Sequence, residues 1–442
     1  MSGGRPLHGT YQVQGSKNAT LHLLAAALLA DAPVVVRRAP DIVDLVIYER
    51  LLRHAGWQAQ MDPKHSVFSL EATSRLRFEV HPVLGSLIRT APVLAAALLA
   101  RTGRVTWPRR AGGCAFCPRP TDRHEAVMRA SGAVLETSGS CITATFPSSG
   151  LRPFRVDVAT PFGASRGATV TALLLAARAR GSSLIVNASD EPEVQAVASF
   201  LARRGVLVAR DEEGLHVCGS DWIAGGTFEV PGDRDEAATV ICAAAATGGD
   251  VRLEGIGLGE LTDGLAGTFS EAGIALSSCG VRSVEAKLVE PLRGIDAVTG
   301  EGLLPSNAAP PLAALLTQAH SDSSISEGVY PYRNSHVTHL SRFGARLTSV
   351  GPVIRVRGGR QLHPAHVSAG DIRAAAAVVI AALVAPGTSV LHVGHALWRG
   401  YQNLTSGLHG LGASLTVEQT SRVTDPAHSR GNQQSCSRAS DS

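Results

Sequence analysis

Six apolar runs recur along the 442-residue chain, each rich in Ala and Leu and each followed by a small polar break and a β-branched stretch. They begin near Thr20, Thr90, Thr169, Ala237, Ala308 and Arg373. Self-similarity of this kind signals a repeat architecture and limits the fold more than any single motif. Two copies are clearest. From Thr169 and from Arg373, apolar residues recur at helical spacing, Gly181 or Gly387 stops the helix, and Leu184-Ile185-Val186 or Val390-Leu391 supplies a strand. Each unit reads helix, strand, helix, strand. The first run, LHLLAAALLA from Leu21, is apolar round its circumference and so has to be buried on every side. A helix in the middle of each of two bodies, with sheets outside, satisfies that. The expectation is an α/β protein of two domains and six βαβ-type repeats, three per domain.

Composition agrees with a core of closely packed small residues, because hydrophobic residues make up 44% of the chain and aromatics only 4%. The net charge of +4 is small for this length, and the arginines are scattered instead of forming the basic stripe that nucleic acid requires. Seven cysteines at irregular spacing argue against a disulfide framework and for a reducing compartment. Runs such as Leu21 to Leu29 and Val93 to Ala100 are far shorter than the roughly 20 residues of a membrane span, and no secretory leader is evident. A cytoplasmic protein with no membrane partner is expected. From 418 to 442 the periodicity gives way to Ser, Arg, Gln and Asp, which predicts a disordered tail.

Polar clusters interrupt the apolar background at the ends of repeat elements. Gln14-Gly15-Ser16-Lys17-Asn18-Ala19 is a Gly-led turn feeding the first buried helix, where an ammonium, backbone N–H groups and the helix dipole together suit an anion, although a plain N-cap reads equally well. The stretch from Ala111 to His124 is rich in Gly and Pro and holds Cys114, Cys117, Arg119 and Arg123. Arginines near a mobile loop favour a reactive thiolate at Cys114. The CxxC spacing of Cys114 and Cys117 invites a zinc reading, but no second Cys or His pair stands at ligand spacing, so no metal and no cofactor are expected.

Lys17-Asn18, Gly-Gly-Cys114 followed by Arg-Pro-Thr-Asp-Arg-His, Asp371-Ile372-Arg373 and Arg399-Gly400-Tyr401 resemble the signature set of the UDP-N-acetylglucosamine enolpyruvyl transferases. More distantly, the chain is similar to the 5-enolpyruvylshikimate-3-phosphate synthases. The likeness runs from about Tyr11 to Leu415 and implies an inside-out α/β barrel in each domain. It implies that phosphoenolpyruvate and a uridine nucleotide are the partners. Lys17 and Asn18 match the pair contacting the phosphate and the acceptor sugar, and Cys114 the loop cysteine that forms a phospholactoyl adduct and reacts with fosfomycin. Arg89, Arg119, Arg373 and Arg399 match arginines around phosphoenolpyruvate. Arg119, Pro120, Thr121, Asp122 and Arg123 occupy the uracil segment, Ser165, Gly167 and Thr169 the diphosphate region, and Arg333 lies on the acceptor side. Asp371 belongs to the same signature. Lys17-Asn18 and Asp233-Arg234 both fall at repeat starts bordering the cleft, which predicts two crossings: 1–17 with 232–417 in one body, and 18–231, carrying the Cys114 loop, in the other.

One departure matters chemically. The family places an aspartate where this chain has Asn307, in Leu304-Pro305-Ser306-Asn307-Ala308, and an amide cannot act as a general base. No acid occurs from Leu303 to His320, so a residue folding back, such as Glu301, or a substrate group would have to serve. Cys117 replaces a usual Gly, and Ala159-Thr160-Pro161-Phe162-Gly163 lacks a Lys the family often has. Three readings follow: transfer to the 3-hydroxyl of UDP-N-acetylglucosamine, transfer to another acceptor such as the 3′-hydroxyl of uridine monophosphate in nucleoside-antibiotic assembly, and nucleotide binding without turnover. If the missing base alone limits turnover, Asn307→Asp should raise it.

Overall fold

The computed structural model describes residues 1–114 and 120–418. Cys117 and Arg119 of the loop, and the expected tail beyond Glu418, lie outside the described residues. Six helices carry the recurring runs and are numbered here α1 (Lys17–Ala27), α2 (Ala91–Thr102), α3 (Arg166–Ala176), α4 (Arg234–Ala246), α5 (Ala309–Leu316) and α6 (Ile372–Val384). Their Ala-rich sequences permit close approach of one backbone to another, and α4 is buried along its whole length. Helices α4, α5 and α6 touch one another pairwise, as α1 touches α2 and α2 touches α3. Sheets form the outer cover.

Each of the first five core helices leads to a strand, a second helix and then an antiparallel hairpin. In the first unit α1 is followed by Val34–Arg37, the helix Val43–His54, and strands Trp57–Asp62 and Val67–Ala72. The single strand expected after the second helix is thus two. Asp62 folds the chain back by accepting the Lys64 and His65 N–H groups at 3.1 and 3.4 Å, a local side-chain turn of the Asx kind. The helices also stop earlier than expected: α3 ends at Ala176, and Gly181 instead opens the following strand region with φ of 119°.

In five of the six units a strand from elsewhere in the chain runs parallel to the unit's own first strand, whereas in the second unit the matching contact is a single parallel bridge from Glu79 to Thr106. Arg155–Asp157 pairs with Ser182–Val186, and Gly226–Glu229 returns to pair with Val34–Arg37. Asp296–Val298 pairs with Ser323–Ser326, His366–Ser368 with Val390–His392, and the N-terminal His8–Gln12 with Asp250–Glu254. Three units close into a ring in this way, twice over. The sixth ends differently, with short helices Gly394–Trp398 and Leu404–Gly410. The buried apolar residues form two clusters, one spanning Ala19 to Val230 and the other joining Leu7 to Val13 with Ala237 to Ala413. Among the described residues, no helix is long and apolar enough to cross a membrane.

The chain passes between the clusters just before α1 and just before α4, and the two passages lie side by side. Gly15 bridges Gly232, the Ser16 N–H donates to the Pro231 carbonyl at 2.8 Å, and the Asp233 N–H donates to the Gln14 carbonyl at 3.0 Å. Gly15 is packed so closely that a Cβ there would fall 1.8 Å from the Arg38 carbonyl oxygen. Gly267, inside the helix Asp263–Glu271, has open space where a Cβ would stand. Gly15→Ala should therefore lower stability by about 1–3 kcal/mol or more through overpacking, whereas Gly267→Ala should raise it by about 0.5–1 kcal/mol. Urea unfolding of both variants measures this, and equal midpoints would contradict it.

Candidate active site

Core helices walled in along their sides can carry polar chemistry only at their ends, and the residues singled out above gather at the N-termini. Lys17 and Asn18 open α1, Arg89 lies just before α2, and Ser165 caps α3, with Gly167 and Thr169 in its first turn. Asp233 caps α4, Asn307 stands before α5, and Asp371 caps α6, whose second residue is Arg373. Each helix N-terminus offers N–H groups and a partial positive charge. Several are capped internally. Asp233 Oδ1 accepts from the Asp235 and Glu236 N–H groups at 3.0 and 3.2 Å, and Asp371 Oδ1 accepts from those of Arg373 and Ala374 at 3.0 and 3.3 Å.

Two buried carboxylates, neither among the expected site residues, tie the cations together. Asp44, in the helix Val43–His54, takes Lys17 Nζ at 2.9 Å on Oδ2 and Arg399 Nε at 2.7 Å on Oδ1. Burial alone would raise its pKa, but Lys17 and Arg399 outweigh that and hold the carboxyl below the usual range. Asp235 Oδ2 accepts from Arg373 at 2.6 Å, from Asn307 Nδ2 at 2.7 Å and, more weakly, from Asn18 Nδ2 at 3.4 Å. The Arg373–Asp235 pair leaves only 5% and 4% of its side chains exposed, so removing one partner would strand a buried charge at a cost of about 3–5 kcal/mol. Arg333 donates to Asn307 Oδ1 and Ser306 Oγ, both at 2.9 Å, and Arg373 donates to the Tyr401 hydroxyl at 2.7 Å. Asp371 Oδ2 accepts from Ser335 at 2.6 Å. Glu236 is pushed up to about 8 by burial and by Asp233, against hydrogen bonds from the Gln14 N–H and Tyr11.

Asp235 and Asn307 change the reading of the missing base. An aspartate at 307 would meet a carboxylate already in hydrogen-bond contact, and two such groups cannot both ionise freely. The gain expected for Asn307→Asp does not follow from this geometry. Glu301 is turned elsewhere, its Oε1 accepting from Ser189 Oγ at 2.9 Å and from the Asp190 N–H.

The remaining expected residues form a second group around α3. Gly167 abuts His124, where a Cβ would fall 2.8 Å from the imidazole Cε1, and His124 Nδ1 hydrogen-bonds Thr171 Oγ1 at 2.7 Å. Ser165 Oγ accepts from the Ala168 N–H at 3.3 Å, while the Thr169 hydroxyl donates to the Ser165 carbonyl at 2.9 Å and accepts from the Ser189 N–H at 3.1 Å. Arg89 donates to the Pro120 carbonyl at 2.9 Å. Thr121 holds the N-cap position of the helix Asp122–Ala130 without a side-chain cap bond, and Arg123 Nε stands 3.8 Å from Asp122 Oδ2. The two groups meet at Glu193, which takes Arg166 at 3.2 Å and Arg234 at 3.3 Å; burial raises its pKa, but these arginines pull it down to about 2. Arg234 also pairs with Glu191.

Cys114 is half-buried, packs against the cluster containing α4 to α6, and lies within electrostatic reach of Arg399. It is not alone in being accessible, since Cys218 and Cys279 are exposed free thiols. Cys141 is disulfide-bonded, which qualifies the expectation of a chain without cross-links. Among the described residues, no group of three or more His, Cys, Asp or Glu could hold a metal ion.

Residues 1–408 match the family described as EPSP synthase (3-phosphoshikimate 1-carboxyvinyltransferase). A UDP-N-acetylglucosamine 1-carboxyvinyltransferase of Maricaulis maris is 34% identical over 419 residues, covering 94% of this chain and 97% of its own. The UDP-N-acetylglucosamine 1-carboxyvinyltransferase 3 of Symbiobacterium thermophilum is 35% identical over 420 residues, with the same two shares. The enolpyruvyl transferase NikO from Streptomyces tendae superimposes with a TM-score of 0.84 at 26% identity, covering 94% of this chain and 97% of that one. EPSP synthase from Acinetobacter baumannii, at a TM-score of 0.74 and 18% identity over 95% of this chain and 99% of that one, shares the fold. The chain belongs to the enolpyruvyl transferase family. It is an enzyme of the carboxyvinyl transferase type.

Two predictions follow from burial. Brief iodoacetamide treatment of the native protein should modify Cys218 and Cys279 and spare Cys242, which is fully buried in α4; peptide mapping that finds Cys242 labelled first would contradict this. Burial also pushes His22, His124 and His336 down to about 4, 3 and 3. An imidazole in the unfolded chain titrates near ~6.5, so below that pH the unfolded state binds more protons and stability falls as pH drops toward 4. Neither ring nitrogen of His336 has a hydrogen bond among the described residues. His336→Leu should flatten this acid limb, and an unchanged slope in urea titrations between pH 6.5 and 4 would refute it.

Proposed function

We propose that the chain transfers the enolpyruvyl group of phosphoenolpyruvate to a hydroxyl of a uridine nucleotide and releases phosphate, with the 3-hydroxyl of UDP-N-acetylglucosamine as acceptor. One observation carries the reading: buried cations from α1, α6 and the chain following the helix Gly394–Trp398 meet carboxylates at a confluence of helix N-termini. Phosphoenolpyruvate, with its phosphate and carboxylate, calls for such a set, since guanidinium forks hold both groups bidentately. The names of the relatives support the acceptor.

In this reading Lys17, Arg89, Arg119, Arg373 and Arg399 hold phosphoenolpyruvate, and Asn18 and Arg333 face the acceptor. Ser165, Gly167 and Thr169 present the α3 N-terminus to the diphosphate, and residues 119–123 hold the uracil. Cys114, which packs against the opposite cluster, forms the adduct in this reading. The two clusters act as two bodies, 1–17 with 232–417 and 18–231, that close over substrate and exclude water, strengthening each charge contact. The protein works in the cytoplasm, in cell-wall precursor synthesis. A second reading, an acceptor such as the 3′-hydroxyl of uridine monophosphate in nucleoside-antibiotic assembly, is favoured by one specific feature, the amide at 307 where the family has a carboxylate.

Phosphate release from phosphoenolpyruvate across a panel of uridine nucleotides tests both. Release should be greatest with UDP-N-acetylglucosamine, and greatest release with uridine monophosphate would select the second reading. Lys17→Ala should lower kcat/KM by about 10²-fold or more, as expected when a group stabilising transition-state charge is lost. No release with any nucleotide would sink the transferase assignment.

A further inference from the structure

We propose that Asp235, at the start of α4, takes the proton of the acceptor hydroxyl, the role for which position 307 has no basic group. The inference rests on the transferase reading above and concerns where its base has gone. Asn307 Nδ2 donates to Asp235 Oδ2 at 2.7 Å, which puts a carboxylate one hydrogen bond from the side chain that lacks one. The carboxylate stands in the first turn of the neighbouring core helix α4 and not at the start of α5.

The arrangement leaves that carboxylate both fixed and available. Oδ2 is occupied by Arg373 at 2.6 Å, Asn307 and Asn18, whereas Oδ1 makes no hydrogen bond among the described residues and keeps its lone pairs. Asn307 is held from the other side by Arg333 at 2.9 Å, so its amide can steer the carboxylate without competing for a proton. The charged groups facing Asp235 are Arg373 from α6, Arg166 from α3, Arg234 from its own helix and the Asp233 carboxyl.

The acceptor O–H bond breaks, its proton passes to Asp235 Oδ1, and the oxygen bonds to C2 of phosphoenolpyruvate as the C2–C3 π pair takes a proton at C3 from a separate general acid. In the second half the conjugate base of that acid recovers a proton from C3, the C2–O bond to phosphate breaks, and the C2–C3 double bond re-forms. The hydroxyl proton leaves Asp235 with the departing phosphate, so the carboxylate is regenerated.

The test uses the full-length enzyme, phosphoenolpyruvate and the uridine nucleotide that supports most phosphate release. Asp235→Asn should lower kcat by about 10²–10⁴-fold, as for a lost general base, while phosphoenolpyruvate still binds by calorimetry. The exchanged pair Asp235→Asn with Asn307→Asp returns a carboxylate to position 307 and should recover at least about tenfold of that loss. Asn307→Asp alone keeps Asp235 and sets a second carboxylate against it, so the acid limb of the kcat/KM profile should move up by about one pH unit or more. A counter-ion role for Asp235 predicts neither recovery in the exchanged pair nor a moved limb. Turnover of Asp235→Asn within about threefold of the unaltered enzyme, or an acid limb unmoved in Asn307→Asp, would overturn the proposal. Absence of phosphate release from the unaltered enzyme with every uridine nucleotide would instead remove the transferase reading, and the proposal with it.

Discussion

A helix with no polar face can expose only its ends, and this one constraint organises the protein. Six Ala- and Leu-rich helices have to be covered along their length, which forces the sheets outside and leaves helix termini as the places where polar residues can reach a cleft. Parallel strands, and between the first and second units the single bridge from Glu79 to Thr106, link the units of each set of three into a ring around its core helices. The crossings at Gly15 and Gly232 follow from the same closure, because the N-terminal strand His8–Gln12 completes a ring far from it in sequence.

Helix N-termini concentrated in this way create positive potential, and Lys17, Arg333, Arg373 and Arg399 add to it. Such a site is stable only if its cations are compensated. Asp44 and Asp235 do this from inside, each accepting from more than one cation or amide. Glu193 does the same for Arg166 and Arg234, joining elements of the two apolar clusters. The carboxylates are therefore as much a part of the anion site as the arginines: they set which cations face one another and at what spacing before any substrate arrives.

Much of this was legible in the sequence. The repeat starts at Thr20, Thr90, Thr169, Ala237, Ala308 and Arg373 all fall in or at the cap of a core helix, because a wholly apolar run leaves few alternatives. The paired strands after each second helix were harder to read: Asp62 to His65 make a turn through local side-chain bonds, and polar turn residues look alike whether a strand ends or folds back. Asp44 could have been found, since it shares the buried stripe of its helix with Tyr48, Leu51 and Leu52, and an acid on an apolar face calls for a cation. Asp235 was concealed by its setting. Acids in the first turn of a helix are common for reasons of the dipole alone, and only the approach of α5 and α6 shows that this one meets Asn307 and Arg373.

The most direct measurement of the central claim follows the carbon atoms. With phosphoenolpyruvate labelled with carbon-13 at C2 and UDP-N-acetylglucosamine or another uridine nucleotide, nuclear magnetic resonance should show the label moving into an enol ether on the nucleotide, in step with inorganic phosphate. Label that stays in phosphoenolpyruvate, or that appears as free pyruvate with the nucleotide unchanged, would contradict a transferase built on the confluence of these helix ends.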